Sequence, residues 1–393
     1  MKLFLTSRGL VAPKGAASPC NLGNQANNVT VMLQYHYIFS SDLTQPNDTY
    51  EPGSTFKIVT SAAGLQEGVI TAATMFMCNG FKVVGGRQIR CWRHPRAHGN
   101  ITFVEGVQNS CNPVFMDIAD MLGAEVFYEY MQRFGMSERT GIDLPGEAVG
   151  IMFDLENIGP VELATLSFGQ SFQITPLQLL RAASAIVNGG YLITPHVGHK
   201  IIDNYGNLVQ EFFHERGRQI ISPQTSEVLT EILESVVYVG TGNRTYLPGY
   251  RIGGKTATSQ KLPRGSGRYI ASFMSFAPAD NPQVMALVLI DEPQGVYYGG
   301  QVAGPVMKGL LANILPYLNI EPIFNEEELE MEGVAQVLVP DLSNQRLGSA
   351  KNTLRTLGLD VTIFGMGDRI INQFPLPGEL INQGTQVIVY VVE

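Results

Sequence analysis

Apolar residues recur with a helical period in several stretches of the chain. Between residues 54 and 66 they cover most of the circumference of the predicted helix, which is typical of a buried helix. The stretches 112–123 and 175–190 each open with a polar residue followed by proline, which is a signal for a helix start. A further apolar stretch, 302–318, predicts a closing helix.

Other stretches have the apolar pattern of strands. Residues 78–92 alternate around a Gly-Gly pair and predict a β-hairpin. The runs 250–259, 268–279 and 283–293 follow one another with short connections, which favours an antiparallel meander. Because predicted helices lie before and after this meander, the sequence predicts an α+β fold with an antiparallel sheet packed between helices.

Composition changes along the chain and indicates domain limits. Residues 321–332 hold six Glu and no Lys or Arg, which predicts a solvated acidic linker at 319–334. Residues 335–393 predict a small α+β module with little core of its own. Residues 1–47 scatter Gly, Asn, Ser and Pro around one strand-like patch and match no domain pattern, so the main domain is predicted at 48–318.

The composition excludes several classes of protein. Of the 393 residues, 45% are hydrophobic and 16% are charged, which argues against disorder. A net charge of -9 gives no support to nucleic acid as a partner. The longest clean apolar run, 284–290, has strand length, so the sequence predicts no transmembrane helix. The apolar part of residues 1–15 is too short for a secretory signal.

Ser54 and Lys57 form an S-x-x-K pair at the start of the first predicted helix. Residues at i and i+3 share a side of a helix, so the amine can approach the hydroxyl. Burial lowers the pKa of a lysine and lets it act as a base, which would make the serine a nucleophile. The alternative is a capping serine beside a lysine that reaches out to solvent, and an isolated S-x-x-K favours this alternative.

Two further motifs make it less plausible that the S-x-x-K pair arose by chance. "SCN" supplies Ser110 and Asn112, and "KTAT" supplies Lys255, Thr256 and Thr258 on a predicted strand. S-x-x-K, followed by S-x-N and then K-T-G, is the set used by penicillin-binding proteins and class A β-lactamases. All three motifs occur here in that order, with Lys-Thr-Ala in place of Lys-Thr-Gly. Asn112 also has the sequence context of a helix N-cap, and that role is compatible with membership of the motif.

On these motifs the chain resembles the transpeptidase domain of class B penicillin-binding proteins from about Asp48 to Leu318. "YEPGSTFK", "HGNITFVEGVQNSCNPVF" and "FGQSFQITPLQL" are similar to phrases of that family. The 335–393 module resembles a PASTA domain, and the combination is similar to the division and sporulation branch of the class. The resemblance implies a penicillin-binding/β-lactamase-like transpeptidase fold.

The resemblance also implies a role for each residue of the first two motifs. Ser54 would be the acylated nucleophile and Lys57 its general base. Ser110 would relay a proton to the leaving amine, and Asn112 would bind the substrate's amide. Lys255 would maintain the electrostatics of the Ser110 relay.

The rest of the third motif would bind the substrate. Thr256 and Thr258 would bind the terminal carboxylate, and the N–H groups of Ser54 and Thr258 would form the oxyanion hole. Ala257 departs from the family pattern because it adds a methyl group where the family has glycine. Glycine in a strand often marks close approach of another backbone, so Ala257 predicts crowding of the Ser54 helix or of the ligand, with reduced or retuned activity rather than none.

The implied activity is that of a peptidoglycan D,D-transpeptidase, which would be acylated by β-lactams and needs no cofactor for catalysis. A D,D-carboxypeptidase or β-lactamase is the first alternative, and no glutamate suited to activating a deacylating water stands out. A non-catalytic scaffold of the division or sporulation machinery is the second. The family also implies peptidoglycan stem peptides as substrate, cell-wall synthesis or division proteins as partners, and a place on the extracytoplasmic face of the membrane. No anchor or pedestal domain is recognised in residues 1–47.

Three cysteines and a histidine have the spacing C-x12-C-x6-H-x12-C: Cys78, Cys91, His98 and Cys111. A Cys3His set suits a structural zinc ion, and Cys111 lies between the two polar residues of the "SCN" motif. A Cys91–Cys111 disulfide is one alternative, but it leaves Cys78 unpaired unless Cys20 is near. Three buried free thiols are the other.

Overall fold

The computed structural model describes residues 3–6, 30–35, 48–198, 200–203, 205, 207–211, 217–325, 328 and 336–392. The chain forms two compact units, Met1–Glu321 and Pro322–Glu393. Most of residues 1–47, with Cys20 among them, lie outside the described residues, as does much of the predicted acidic linker. In the part that is described, no helix is both long and apolar enough to cross a membrane.

The helices are α1 (Lys57–Gln66), α2 (Phe103–Gln108), α3 (Asn112–Arg133), α4 (Pro160–Leu166), α5 (Pro176–Val187), α6 (Pro223–Tyr238), α7 (Gly299–Tyr317) and α8 (Leu347–Thr356). The strands of the first unit are β1 (Leu3–Thr6), β2 (Thr30–Tyr35), β3 (Met75–Cys78), β4 (Phe81–Val84), β5 (Arg87–Arg90), β6 (Gly99–Thr102), β7 (Lys200–Ile202), β8 (Leu208–Glu211), β9 (Gly253–Gln260), β10 (Tyr269–Ala277) and β11 (Val284–Asp291). Those of the second unit are β12 (Gln336–Leu338), β13 (Asp360–Gly365), β14 (Arg369–Phe374), β15 (Leu380–Asn382) and β16 (Gln386–Val392).

The central sheet has the strand order β1-β2-β11-β10-β9. β9, β10 and β11 pair antiparallel, which confirms the predicted meander. β2 adds to β11 in parallel, and β1 adds to β2 in parallel. The apolar pattern does not predict these two pairings because each joins strands that are far apart in the sequence. Among the described strands, β9 lies at one edge of the sheet and pairs on one side only.

Helices cover both faces of this sheet, as predicted. Alternate residues of β10 and β11, such as Met274 and Leu287, pack into the larger core with α1, α3 and α5. The residues between them, such as Phe273 and Val288, pack into a second core with α7. α1 is buried and lies close to α3, because Gly64 has no side chain where a Cβ would come within 2.9 Å of Ile118.

Two small antiparallel sheets lie beside α3. β4 and β5 form the predicted hairpin, and β3 pairs with β6. Lys82 of β4 donates to Asp117 and Asp120 of α3 at 2.5 Å each, and these ion pairs fix the hairpin to the helix. The hairpin and the start of α3 are therefore joined by charge as well as by packing.

α1 begins at Lys57, after a 3-10 turn, and not at residue 54 as predicted. The two helix starts predicted from a polar residue before proline differ in outcome. Thr175 caps α5 in a capping box with Gln178, as its sequence context predicts. Asn112 is not the N-cap of α3: Cys111 occupies that position, and Asn112 is the first helical residue. The predicted cap was wrong because the Asn112 side chain bonds to Lys57 and to the Arg90 carbonyl instead of to its own helix.

The second unit is a small α+β module with its own core. β13, β16 and β14 form one sheet, and β12 pairs with β15. Leu354 of α8 packs against Ile370, Val387 and Val389 of the sheet. This core is small, as the length of the segment predicts.

Candidate active site

Ser54 lies on a 3-10 turn, Gly53–Thr55, that leads directly into α1. Gly53 adopts φ 58°, a conformation that suits glycine, and its N–H donates to the Gly169 carbonyl at 2.8 Å. Gly169 also needs to be glycine, since a Cβ there would overlap the backbone of Gly53. Ser54 is partly exposed, and its hydroxyl makes no hydrogen bond with any residue in the described ranges. The turn thus presents a free hydroxyl above a buried helix.

Lys57 is fully buried and lies at the junction of two elements. Its Nζ donates to Ser110 O at 2.8 Å, to Ser110 Oγ at 3.1 Å and to Asn112 Oδ1 at 2.7 Å. The amine also lies 5.0 Å from the centre of the Phe115 ring. The structure therefore brings Lys57, Ser110 and Asn112 together one turn of helix from Ser54, although Lys57 bonds to Ser110 rather than to Ser54.

Burial changes the acid–base properties of both lysines in the site. It lowers the pKa of Lys57 to about 7, although the nearby Cys111 and Cys91 act to raise it. Burial also brings the pKa of Lys255 well below its usual value, and the charge of Lys57 contributes to this. A lysine with a pKa near 7 is partly neutral at neutral pH, so Lys57 can accept a proton.

Ser110 lies in the short loop between α2 and α3 with φ 52°, which is strained for a residue other than glycine. The loop is held by contacts to the chain just after the hairpin. Trp92 Nε1 donates to Asn109 O at 2.8 Å, and Asn112 Nδ2 donates to Arg90 O at 3.1 Å. Strained backbone that several contacts maintain is common at functional sites.

β9 contributes the third motif. Lys255 is fully buried and donates to the Thr256 carbonyl at 3.3 Å. Thr256 Oγ1 donates to Thr241 Oγ1 at 3.0 Å, and Thr258 Oγ1 accepts from the Gly299 N–H at 3.0 Å. No hydrogen bond joins Lys255 to Ser110 among the described residues, so the role of Lys255 in the Ser110 relay stays a prediction.

Ala257 faces the turn that carries the serine. Its side chain is 3% exposed, and a Cβ on Gly53 would lie 3.6 Å from its methyl group. The extra methyl group of this motif is therefore next to a glycine that leaves space for it. Whether the methyl slows acylation stays a prediction.

Sequence reasoning missed several residues that contact the motifs. Thr241 and Gly299 bond to the two threonines of β9, Phe115 packs on the Lys57 amine, and Trp92 holds the Ser110 loop. Thr241 is flanked by glycines, which is a weak signal of a close approach. The others belong to elements that are distant along the chain, and no local pattern indicates which motif they meet.

The predicted metal ligands come together next to the Ser110 loop. Ligand atoms of Cys78, Cys91, His98 and Cys111 all lie within 4.8 Å of one another, and the three thiols are buried and unlinked by a disulfide. His98 Nδ1 lies 3.5 Å from Cys78 Sγ and 3.6 Å from Cys91 Sγ. A hydrogen bond between the Cys91 and Cys111 thiols lowers the pKa of Cys91 and raises the pKa of Cys111.

Comparison with known proteins agrees with this geometry. Residues 23–312 match the family described as the penicillin binding protein transpeptidase domain, and residues 337–393 match the PASTA domain family. The chain is 40% identical over 353 residues to stage V sporulation protein D of Bacillus subtilis (strain 168), covering 88% of this chain and 54% of that protein. It is 30% identical over 306 residues to the peptidoglycan D,D-transpeptidase FtsI homolog of Mesostigma viride, covering 70% and 50%. The chain thus spans about half the length of the curated relatives it matches.

Solved structures share the fold of the first unit. The TP domain of penicillin-binding protein 3 from Burkholderia pseudomallei matches with a TM-score of 0.63 and 30% identity, over 71% of this chain and 82% of that one. Penicillin binding protein 3 from Mycobacterium tuberculosis, complexed with ampicillin, matches with a TM-score of 0.65 and 26% identity, over 71% and 65%. The chain therefore belongs to the penicillin-binding protein transpeptidase family, with a PASTA domain following the transpeptidase domain, which confirms the resemblance that its sequence indicates.

Proposed function

We propose that the protein is a serine acyltransferase that cross-links peptidoglycan stem peptides as a D,D-transpeptidase through an acyl-enzyme on Ser54. The observation that carries this proposal is the buried Lys57, which bonds to both Ser110 and Asn112 one turn from a serine whose hydroxyl has no hydrogen-bond partner among the described residues. Relatives named as peptidoglycan D,D-transpeptidases support it. β-Lactams would acylate the same serine as substrate mimics.

In the first half of the reaction, neutral Lys57 takes the hydroxyl proton of Ser54 while Ser54 Oγ attacks the carbonyl carbon of the penultimate D-alanine. The N–H groups of Ser54 and Thr258 stabilise the oxyanion. The proton passes from Lys57 to Ser110, with which Lys57 shares a hydrogen bond of 3.1 Å, and then to the departing D-alanine amine. In the second half, an acceptor amine attacks the acyl-enzyme and the proton returns along the same route.

The remaining residues of the motifs orient the substrate. Asn112 binds the amide of the donor peptide with the part of its side chain that Lys57 and Arg90 leave available. Thr256 and Thr258 bind the terminal carboxylate. Thr258 already accepts a hydrogen bond from the Gly299 N–H, so its own hydroxyl proton can point to the substrate. Lys255, whose buried amine donates to the Thr256 carbonyl at 3.3 Å, would tune the electrostatics of the Ser110 relay.

The test is labelling of the purified protein with fluorescent penicillin, beside Ser54→Ala. We expect stable labelling of the wild type and none of the variant. An unlabelled wild type contradicts the proposal and favours a non-catalytic scaffold. An adduct that forms and is rapidly hydrolysed indicates a β-lactamase, whereas D-alanine release without transfer to an added amine indicates a carboxypeptidase.

A structural zinc ion in the Cys78, Cys91, His98 and Cys111 cluster is part of the proposal. Three buried thiols and one imidazole within 4.8 Å form a donor set that zinc favours, and His98 Nε2 is buried with no hydrogen-bond partner in the described part of the chain. Bound there, the ion would fix the loop between α2 and α3 and take no chemical step. Protein purified under reducing conditions should hold one zinc per chain by elemental analysis, and Cys78→Ser should hold much less. A metal-free wild type contradicts this part alone.

We further propose an extracytoplasmic place of action, with cell-wall synthesis or division proteins as partners, and the domain limits 48–318, 319–334 and 335–393. The similarity to stage V sporulation protein D supports a role in sporulation or division. Fractionation of cells that carry a tagged copy tests the location: we expect the tag to be accessible to protease from outside the membrane. A protected tag contradicts it.

A further inference from the structure

Three arginines lie at the end of the hairpin beside the Ser110 loop. Arg90 is the last residue of β5, and Arg93 and Arg96 follow it. All three are exposed, and within the described ranges no carboxylate pairs with any of them. We call these three arginines, on a chain whose net charge is -9, the patch.

Most other arginines in this unit have an acidic partner. Arg251 pairs with Glu234 at 2.7 Å, Arg264 with Glu51 at 2.5 Å, and Arg181 with Glu138 at 3.2 Å. The structure thus provides carboxylates where arginines have a structural role, and it leaves the hairpin arginines without them. Exposed guanidinium groups without an acidic partner attract anionic ligands.

The patch lies directly against the candidate catalytic loop. The Arg90 carbonyl accepts a hydrogen bond from Asn112, and Trp92, between Arg90 and Arg93, donates to the carbonyl of Asn109. The Trp92 side chain is 54% exposed, so an aromatic surface also faces solvent here. A ligand on the patch would therefore lie next to Ser110.

The direction of the reaction gives the patch an occupant, and this step rests on the proposed function. If Ser110 returns a proton to the leaving amine, microscopic reversibility requires the incoming amine to lose its proton by the same route. The acceptor amine must then approach the acyl-enzyme beside Ser110, and the rest of the acceptor must cover neighbouring surface. The surface next to Ser110 includes the arginine hairpin.

We propose that Arg90, Arg93 and Arg96 bind the acceptor strand, an acidic peptide that carries the attacking amine. Its carboxylates would pair with the guanidinium groups, which suit carboxylates because they offer two parallel N–H donors. In the transfer itself, the amine nitrogen forms a bond to the acyl carbon and the bond from that carbon to Ser54 Oγ breaks. The amine's proton passes through Ser110 and Lys57 to Ser54 Oγ, so no further reactant is needed.

The test compares two triple variants of the full chain. One is Arg90→Gln, Arg93→Gln, Arg96→Gln. The matched control is Arg139→Gln, Lys200→Gln, Lys308→Gln, which removes the same charge from exposed positions elsewhere. Each protein is first acylated to completion with benzylpenicillin, and its melting temperature is checked. The Kd is then measured for a fluorescent peptide with one free amine and three carboxylates, and for the same peptide with its carboxylates amidated.

We expect the wild type to prefer the acidic peptide, and this preference to fall by roughly tenfold in the arginine variant and by less than about twofold in the control. Added salt should reduce the preference of the wild type in the same way, because exposed charges are screened. Equal losses in the two variants, or no loss in either, would overturn the proposal. So would arginine-dependent binding of phosphatidylglycerol vesicles with no change in peptide affinity, which would make the patch a membrane surface.

Failure of this proposal is distinguishable from failure of the proposed function. A wild type that penicillin cannot label refutes the acyltransferase and this inference with it. A wild type that is labelled, but whose peptide affinity ignores the hairpin arginines, refutes the acceptor site alone.

Discussion

The two parts of the candidate site that meet at Lys57 are held in different ways. The turn that carries Ser54 continues into a buried helix, and backbone contacts with Gly169 position it. The loop that carries Ser110 has a strained φ and depends on side-chain hydrogen bonds from Trp92 and Asn112. The first part is fixed by packing, so disturbing it costs stability. The second can lose one polar contact at a time, so its geometry can change while the fold persists.

This difference indicates which substitutions should change stability and which should change activity alone. Packing in a core is shared among many neighbours, and its loss is felt throughout the domain. A loop held by a few hydrogen bonds contributes little to global stability, but small shifts there displace groups that must transfer a proton. A buried thiol cluster next to such a loop is a suitable means to restrain it. The predictions below test this contrast at Lys57, then in the first part, then in the second.

The largest effect is expected at Lys57, which belongs to both parts. Lys57→Met keeps an unbranched side chain that is only one atom shorter but removes the base, so the rate of labelling by fluorescent penicillin should fall by about 10³-fold or more. Thermal stability should hold or rise, because a buried amine costs free energy to desolvate. Lys308→Met, at an exposed position of α7, is the control. Labelling of the Lys57 variant at the wild-type rate would remove Lys57 from the mechanism.

The pH dependence should follow from the same burial. The pKa of Lys57 is lowered to about 7, so the base is neutral above that pH and protonated below it. The labelling rate should therefore fall about tenfold per unit as the pH drops below 7, and level off above it. Between about 7 and the lysine's usual value the unfolded chain holds more protons, so this group makes stability rise with pH. A flat rate profile between pH 5.5 and 7 would contradict the role of base.

How far the sequence predicts these two parts depends on how local each signal is. The helix that carries Lys57, the hairpin and the meander of β9 to β11 come from local periodicity and are confirmed. The start of α3 was misplaced by one residue, because Asn before Pro is a start signal whether Asn is the cap or the first helical residue. Only the fold reveals that the side-chain oxygen of Asn112 accepts a hydrogen bond from Lys57.

Contacts between distant segments were beyond the sequence. Thr241 meets Thr256 through tertiary packing, and neither its spacing nor its neighbours name that partner. The parallel pairing of β2 with β11 likewise joins segments about 250 residues apart, a distance at which the apolar pattern carries no register. The position of the thiol cluster next to the Ser110 loop, by contrast, could be predicted from the sequence. The spacing of the ligands indicated the cluster, and Cys111 lies inside the "SCN" motif.

In the part held by packing, Gly169→Ala should be costly. Its φ is 83°, and the new Cβ would overlap the backbone of Gly53, which has to move and takes Ser54 with it. Gly68→Ala is a matched control, because its φ is 67° and its Cβ would meet nothing within 4 Å. We expect the Gly169 variant to lose about 2 kcal/mol more unfolding free energy than the control, and to be labelled more slowly. Equal losses in a denaturant titration would show that the contact with Gly53 is unimportant.

The smallest effect is expected in the part held by polar contacts. Trp92→Phe keeps an aromatic ring but removes the N–H that donates to Asn109 O, a contact of 2.8 Å. The lost hydrogen bond is worth about 1 kcal/mol, so labelling should slow by roughly fivefold while the unfolding free energy changes little, because the loop can shift without exposing the core. Tyr317→Phe, at a side chain 71% exposed in α7, should change neither quantity. If Trp92→Phe lowered stability and left labelling intact, the loop would be part of the core's packing, and the contrast with the Ser54 turn would be lost.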